Sequence, residues 1–295
     1  MQNWEWAPAL DELREMFSNA KYVADENILI TVFLALKLQK PLLVEGEPGC
    51  GKTEIAKVLS EAFKTDLIRL QCYEGLDASS TIYEWDYLRQ LLKIRMCEGK
   101  LSSAELDEEI FSERFLLKRP ILNAVLHSGS KPPVLLIDEL DRADEEFEGF
   151  LLEFLAEWQV TIPEIGTFRA KHRPIVVVTS NRTRELGEGL RRRCLYLYLS
   201  YPSPEKELRI LELKVPEVGR ILAGQIVDFA AKLRRDKSVL KKPGVSETLD
   251  WAHALHALRA ESLTPSLVKQ TLGCLIKEPD TLRLDASFLE SMLKP

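Results

Sequence analysis

The sequence predicts an α/β protein. A five-stranded, mostly parallel sheet lies between helices and carries a helical insertion and a β-hairpin, and an all-α region follows it. Three observations carry this. Five short segments have strand character: PLLVE from Pro41, LIRLQC ending at Cys72, PVLLID ending at Asp138, PIVVVTS ending at Ser180 and LYLYLS ending at Ser200. Helical periodicity fills the stretches between them, which is the pattern of a doubly wound parallel sheet. At YPSPEKE (Tyr201 to Glu207) the composition shifts, and no strand pattern recurs beyond it.

The first, third and fourth segments are continuous apolar runs, as expected of strands covered on both faces. After the first, Ile55, Ala56, Val58, Leu59, Ala62 and Phe63 fall on one helix face. After the third, Phe147, Phe150, Leu151, Phe154 and Leu155 do the same. Two additions interrupt the alternation. An acidic, helix-rich insertion with an aromatic cluster, IYEWDYLRQLLKIRM, spans about 73–118, and QVTIPEIGTFRA (159–170) alternates, turns at a proline and glycine, and alternates again as a hairpin does. The expected domains are 1–201, α/β, and 202–295, helical.

The 295 residues suit two domains. A net charge of −6 repels polyanions on average and argues against bulk nucleic-acid binding. Five scattered cysteines without a C-x-x-C pattern indicate neither a disulfide framework nor a zinc site, which fits a reducing cytoplasm. The opening MQNWEWAPALDEL lacks a basic segment followed by an apolar run, so no secretory signal is expected. The most apolar stretch, ILITVFLAL, has nine residues where a membrane span needs about twenty, so no span is expected.

GEPGCGKT (46–53) matches G-x-x-x-x-G-K-[ST] between a strand and a helix, as a phosphate-binding loop requires. Gly46, Gly49 and Gly51 let the backbone wrap a phosphate, and several N–H groups of the loop, which also holds Glu47, Pro48 and Cys50, then point inward, aided by the N-terminus of the following helix. Lys52 is placed to reach the terminal phosphates and Thr53 to ligate Mg²⁺. VLLIDE (134–139) is an apolar strand ending in two acids. Asp138 is the candidate to hold Mg²⁺, and Glu139 to orient and polarise an attacking water. Asn181, at the end of VVVTSN, reaches the γ-phosphate if its strand lies between the other two; a helix-capping role is the alternative. No guanine-reading N-K-x-D occurs, which favours ATP over GTP.

EGLRRRCLYLYL places Arg191, Arg192 and Arg193 side by side before the last strand. At a sheet edge in a ring of subunits they would face the next subunit's γ-phosphate, where an arginine is worth about 10³–10⁵ in rate. A solvated basic patch and a DNA contact are the alternatives. His253 and His256 share a helix face without an obvious third metal ligand, and Tyr83, Trp85 and Tyr87 are either a client-binding face or packing residues.

The order of phosphate loop, D-E strand, sensor Asn and arginines, then a helical region, resembles an AAA+ ATPase. DELDRADEEFEGFLLEFLAEWQVTIPE is similar to the MoxR family, and QCYEGLDASSTIYEWDYLRQLLKIR and VVTSNRTRELGEGLRRRCLYLYLSYP resemble its CoxD-like branch. That resemblance implies a P-loop AAA+ core with a C-terminal helical lid, a ring that is hexameric, and ATP hydrolysis driving remodelling of a client protein. It further implies a chaperone role in metal-cofactor insertion, with a client metalloenzyme of the copper–molybdenum carbon monoxide dehydrogenase type and a von Willebrand A-type partner. By the same resemblance Arg193 best fits the finger position, with Arg192 next. A DNA-directed motor or restriction-type ATPase is the alternative function. Two positions depart from the family pattern. Asp141 stands where MoxR proteins carry Asn, and GVSETLDW has Glu247 where the lid often supplies a sensor arginine; Arg220 and Lys242 are candidate substitutes that the sequence alone does not place.

Overall fold

The computed structural model describes residues 7–97, 102–277, 289 and 292–293. Its main sheet has five strands: β1 (Leu42–Gly46), β2 (Leu67–Gln71), β5 (Val134–Asp138), β8 (Ile175–Ser180) and β9 (Leu195–Leu199), in the spatial order β2-β5-β8-β1-β9. The pairs β2–β5, β5–β8 and β8–β1 are parallel, with Leu42 opposite Val177 and Val134 opposite Ile175. Every residue of β1, β5 and β8 is buried, because helices cover both faces of the three central strands. The edge strands β2 and β9 alternate or are half exposed, and they are the two segments in which the sequence interleaves polar residues.

Helices α1 (Leu10–Asn19) and α2 (Glu26–Leu38) precede the sheet in the chain, and two further helices frame the site elements. Helix α3 (Lys52–Phe63) buries Ile55, Ala56, Val58, Leu59 and Phe63, the face read from the sequence. Helix α8 (Glu145–Glu157) begins where Asp144 accepts a hydrogen bond from the Phe147 amide at 2.9 Å, and Glu145, Glu146 and Glu148 in its first turn complement the helix dipole. It ends at Trp158 in a left-handed conformation (φ 53°). The hairpin follows at once as β6 (Gln159–Ile162) antiparallel to β7 (Gly166–Arg169), as expected.

The insertion is more than helical. It holds α4 (Ala78–Ile82), α5 (Tyr87–Cys97) and α6 (Ser103–Ile110), the last opened by a capping box between Ser102 and Glu105. It also holds an antiparallel ribbon, β3 (Tyr83–Trp85) with β4 (Leu116–Lys118), which the sequence reading did not foresee. Its strands are three residues each and lie about thirty positions apart, too short for period-2 alternation to register. The ribbon leads into α7 (Pro120–Val125), buried under β2 and β5 in one continuous core with Leu43, Leu135, Ile137, Leu151 and Val178.

By their contacts, the residues divide into two compact units. One comprises Met1–Leu10, Ile28–Glu45 and Thr53–Leu197. The other comprises Asp11–Asn27, Gly46–Lys52 and Tyr198–Pro295, so the phosphate loop groups with the C-terminal helices. In this second unit α10 (Pro204–Lys214), α11 (Arg220–Arg235), α12 (Val245–Ala257) and α13 (Pro265–Thr271) enclose Leu211, Phe229, Leu233, Trp251, Leu255 and Val268. Helices α10 and α13 start with Ser203 and Thr264 as caps and proline at the first helical position, where the missing N–H costs nothing. Among the described residues no helix is long and apolar enough to cross a membrane.

Candidate functional site

The phosphate loop leaves β1 through Gly46, whose φ of +152° and position leave no room for a side chain: a Cβ there would lie 2.0 Å from the Leu199 carbonyl oxygen. Gly49 (φ +72°) and Gly51 (φ +86°) are left-handed, the conformations that turn successive amides to one side. Lys52 is 7% exposed, and its ammonium donates to the carbonyls of Gly46 and Glu47, both at 2.8 Å. The amine is thereby folded over its own loop. Burial pushes the Cys50 thiol up to about 11, partly offset by Lys52, so it stays protonated near neutral pH and behaves as a small side chain.

Thr53, the next residue, donates its hydroxyl to Asp138 Oδ1 at 3.1 Å, which ties the first turn of α3 to the end of β5. Asp138 is 3% exposed and gathers two further donors. The Thr179 hydroxyl from β8 bonds the same oxygen at 2.6 Å, and Arg69 from β2 bonds Oδ2 at 2.5 Å. Thr179 and Arg69 were not singled out in the sequence. Thr179 follows Val178, the partner of Ile137, so parallel register brings it beside Asp138; Arg69 is the lone charge in its strand, the one local signal it gave.

Glu139 is in the left-handed region (φ 56°, ψ 49°), a conformation that costs a non-glycine residue about 1 kcal/mol or more and that clusters at functional positions. Its amide donates to the Thr179 hydroxyl at 2.9 Å, and its carboxylate accepts from Arg142 at 3.2 Å. Thr179 therefore bridges the two acids.

Asn181 ends β8, which does lie between β1 and β5. Two acids downstream of β5 hold the segment it begins. Buried Asp141 accepts from the amides of Asn181 (3.1 Å) and Thr183 (2.9 Å) and from the Thr183 hydroxyl (2.7 Å). Burial pushes the Asp141 carboxyl up, but these donors more than offset it and hold it below the usual aspartate value. Glu148 of α8 pairs with Arg184 and accepts from the Gly187 amide at 2.7 Å. An aspartate at position 141 thus has a structural use: a carboxylate accepts from three donors at once, where an amide would present its NH₂ to one of them.

Helix α9 (Glu188–Arg193) carries the three arginines, all exposed, directly before edge strand β9. Arg191 lies over the Tyr196 ring at 5.9 Å, Arg192 pairs with Glu188 one turn back, and Arg193 donates to the Leu152 carbonyl at 3.0 Å. The aromatic trio is not one face. Trp85 is 8% exposed and packs edge-on against Tyr83 and Phe111, whereas Tyr87 is 68% exposed.

Comparison with known proteins agrees with this geometry. Residues 41–194, just over half of the chain, match the AAA domain (dynein-related subfamily). An uncharacterized protein of Staphylococcus epidermidis is 23% identical over 239 residues, covering 79% of this chain and 81% of its own. A second, from Staphylococcus haemolyticus, is 23% identical over 247 residues, covering 81% and 84%. Among solved structures, the P216G mutant of Thermotoga maritima RuvB aligns with 94% of this chain and 72% of its own at 16% identity, with a TM-score of 0.49. The sheet order, the phosphate loop and the family match converge: the chain belongs to the AAA domain family, dynein-related subfamily, with the P-loop AAA+ core.

Proposed function

We propose that the protein is a MoxR-type AAA+ ATPase of the CoxD-like branch, which couples ATP hydrolysis to remodelling of a client metalloenzyme during metal-cofactor insertion. The observation that carries the ATPase part is the Thr53 hydroxyl on Asp138, a hydroxyl that directly follows the phosphate-loop lysine in sequence, bonded to a buried carboxylate. These are hard oxygen donors of the kind Mg²⁺ takes, and Thr53 and Asp138 would hold the ion. When bound, Mg²⁺ would supply positive charge that neutralises the charge developing on the phosphates.

The chain's own groups account for the rest. Backbone amides of residues 46–53, Pro48 excepted, bind the phosphates, and Lys52 exchanges its two carbonyl partners for phosphate oxygens. Thr179 fixes Asp138 and the Glu139 amide in register, and Arg69 balances the charge on Asp138. Glu139 accepts the proton of the attacking water as its oxygen adds to the γ-phosphorus; the bond from that phosphorus to the bridging oxygen breaks, ADP leaves with the electron pair, and Asn181 orients the water from the neighbouring strand. Arg193, or Arg192 beside it, completes the site of the adjoining subunit in a homo-oligomeric, hexameric ring. Residues 202–295 act as the lid. A von Willebrand A-type protein is the expected partner, and the cytoplasm the expected compartment.

The DNA-directed alternative makes an opposite prediction. With a net charge of −6, ATP turnover is expected to be indifferent to duplex DNA, and no salt-sensitive shift is expected in a DNA gel assay. A shift that weakens steeply with salt, together with DNA-stimulated phosphate release, would place the DNA motor first.

A further inference from the structure

The phosphate loop is gripped from outside by the main chain of α12. The amides of Val245 and Ser246, the first two of that helix, both point at the Gly49 carbonyl oxygen, at 3.0 and 3.4 Å. Gly244 lies flat against the loop. A Cβ on it would come within 2.7 Å of Gly49 Cα and 2.7 Å of the Pro48 carbonyl oxygen. Its backbone (φ −83°, ψ −177°) is open to any residue, so closeness alone demands glycine here. Across a trans peptide the C=O and the following N–H point in opposite directions. Pinning the Gly49 oxygen toward α12 therefore aims the Cys50 amide away from α12 and fixes one donor of the phosphate cradle.

A buried polar network sets Gly244 in place. Arg234 of α11 is 8% exposed and Glu207 of α10 is fully buried, and they pair through two parallel hydrogen bonds at 2.5 and 2.7 Å. Arg234 also donates to the Pro243 carbonyl at 2.7 Å and to the Thr248 hydroxyl at 3.2 Å, and that hydroxyl donates to the Gly244 carbonyl at 3.0 Å. The Tyr201 ring closes one face of the guanidinium at 5.0 Å. Glu247, at the position of the missing sensor arginine, accepts from the Gly244 amide at 2.9 Å. The position is thus committed to capping α12. A buried ion pair of this kind adds little net stability but specifies one arrangement.

We propose that the helical unit tunes nucleotide affinity through this main-chain clamp, with Gly244 as its contact and Arg234 as the positioning residue, in place of an arginine reaching from the lid to the phosphates. The proposal rests on the reading that residues 46–53 bind the phosphates. Because the clamp and the cradle share one peptide, coupling is reciprocal: whatever orders the loop orders the start of α12.

The test needs no altered protein to begin with. Saturating ADP is expected to slow hydrogen exchange at the amides of Val245 and Ser246 in the wild-type chain. Gly244→Ala is expected to weaken binding of a fluorescent ADP analogue about tenfold or more, since ångström-scale displacements cost on that order. Exchange at 46–52 should rise, while protection across α11 stays as in wild type. Arg234→Met should act in the same direction. If wild type binds ADP but the amides of 245–246 do not respond, or if Gly244→Ala binds as wild type does, the clamp is wrong and the phosphate-site reading stands. Failure of wild type to bind ADP at all would overturn that reading itself and the clamp with it.

Discussion

Glu139→Gln is expected to abolish ATP turnover while ATP binding survives. The change is isosteric and leaves the left-handed backbone, the Thr179 bond to the amide and the neighbouring Asp138 in place. It removes the charge proposed to accept the water proton, and general-base loss of this kind costs about 10²–10⁴ in rate. Phosphate release and fluorescent-nucleotide binding, measured on the same preparation, separate the two effects. Turnover at the wild-type rate would remove Glu139 from the chemistry.

The second large effect concerns the arginines. Arg193→Ala is expected to lower turnover by about 10³ or more, within the range for arginines that stabilise a phosphoryl transition state from outside the loop. All three guanidiniums are exposed on α9 beside the edge strand, and each has a weak partner on its own chain: a tyrosine face, an i,i+4 glutamate and one carbonyl. Exposed contacts of this kind are worth little and are readily exchanged for a phosphate. Arg193→Ala and Lys52→Ala proteins should each be nearly inactive alone. Mixed, they should partly recover, because some boundaries then join an intact loop to an intact arginine. Arg192→Ala in the same assay decides between neighbours. No recovery at any ratio would argue that the arginines do not act between subunits.

Much of this was legible in the sequence because it is local. Unbroken apolar runs marked β1, β5 and β8 as strands covered on both faces; that β2 and β9, whose LIRLQC and LYLYLS interleave polar residues, are the edges is seen in the sheet order. The phosphate loop and the acidic pair announce themselves by spacing. What stayed hidden depends on partners far apart along the chain. Asp141 and Glu148 had no visible role until the fold set them against Asn181, Thr183 and Gly187, some forty positions away. Arg69 meets Asp138 across 69 positions, and Gly244 meets Gly49 across nearly two hundred. A single sequence states residue types, and such pairings exist only after the sheet order is known. The missing sensor arginine was visible as an absence; that Glu247 caps a helix seated on the loop was not.

Nucleotide binding at Lys52 tests the central claim most directly. The side chain is nearly buried and bonded to two carbonyls of its own loop, which on the proposed reading it exchanges for phosphate oxygens. Titrating a fluorescent ATP analogue into wild type and Lys52→Ala, with and without Mg²⁺, should give saturable, Mg²⁺-tightened binding in the first and at least about a tenfold loss in the second, as expected for removing a charge-assisted contact. Equal affinity in both proteins would contradict the assignment of this loop as the nucleotide site.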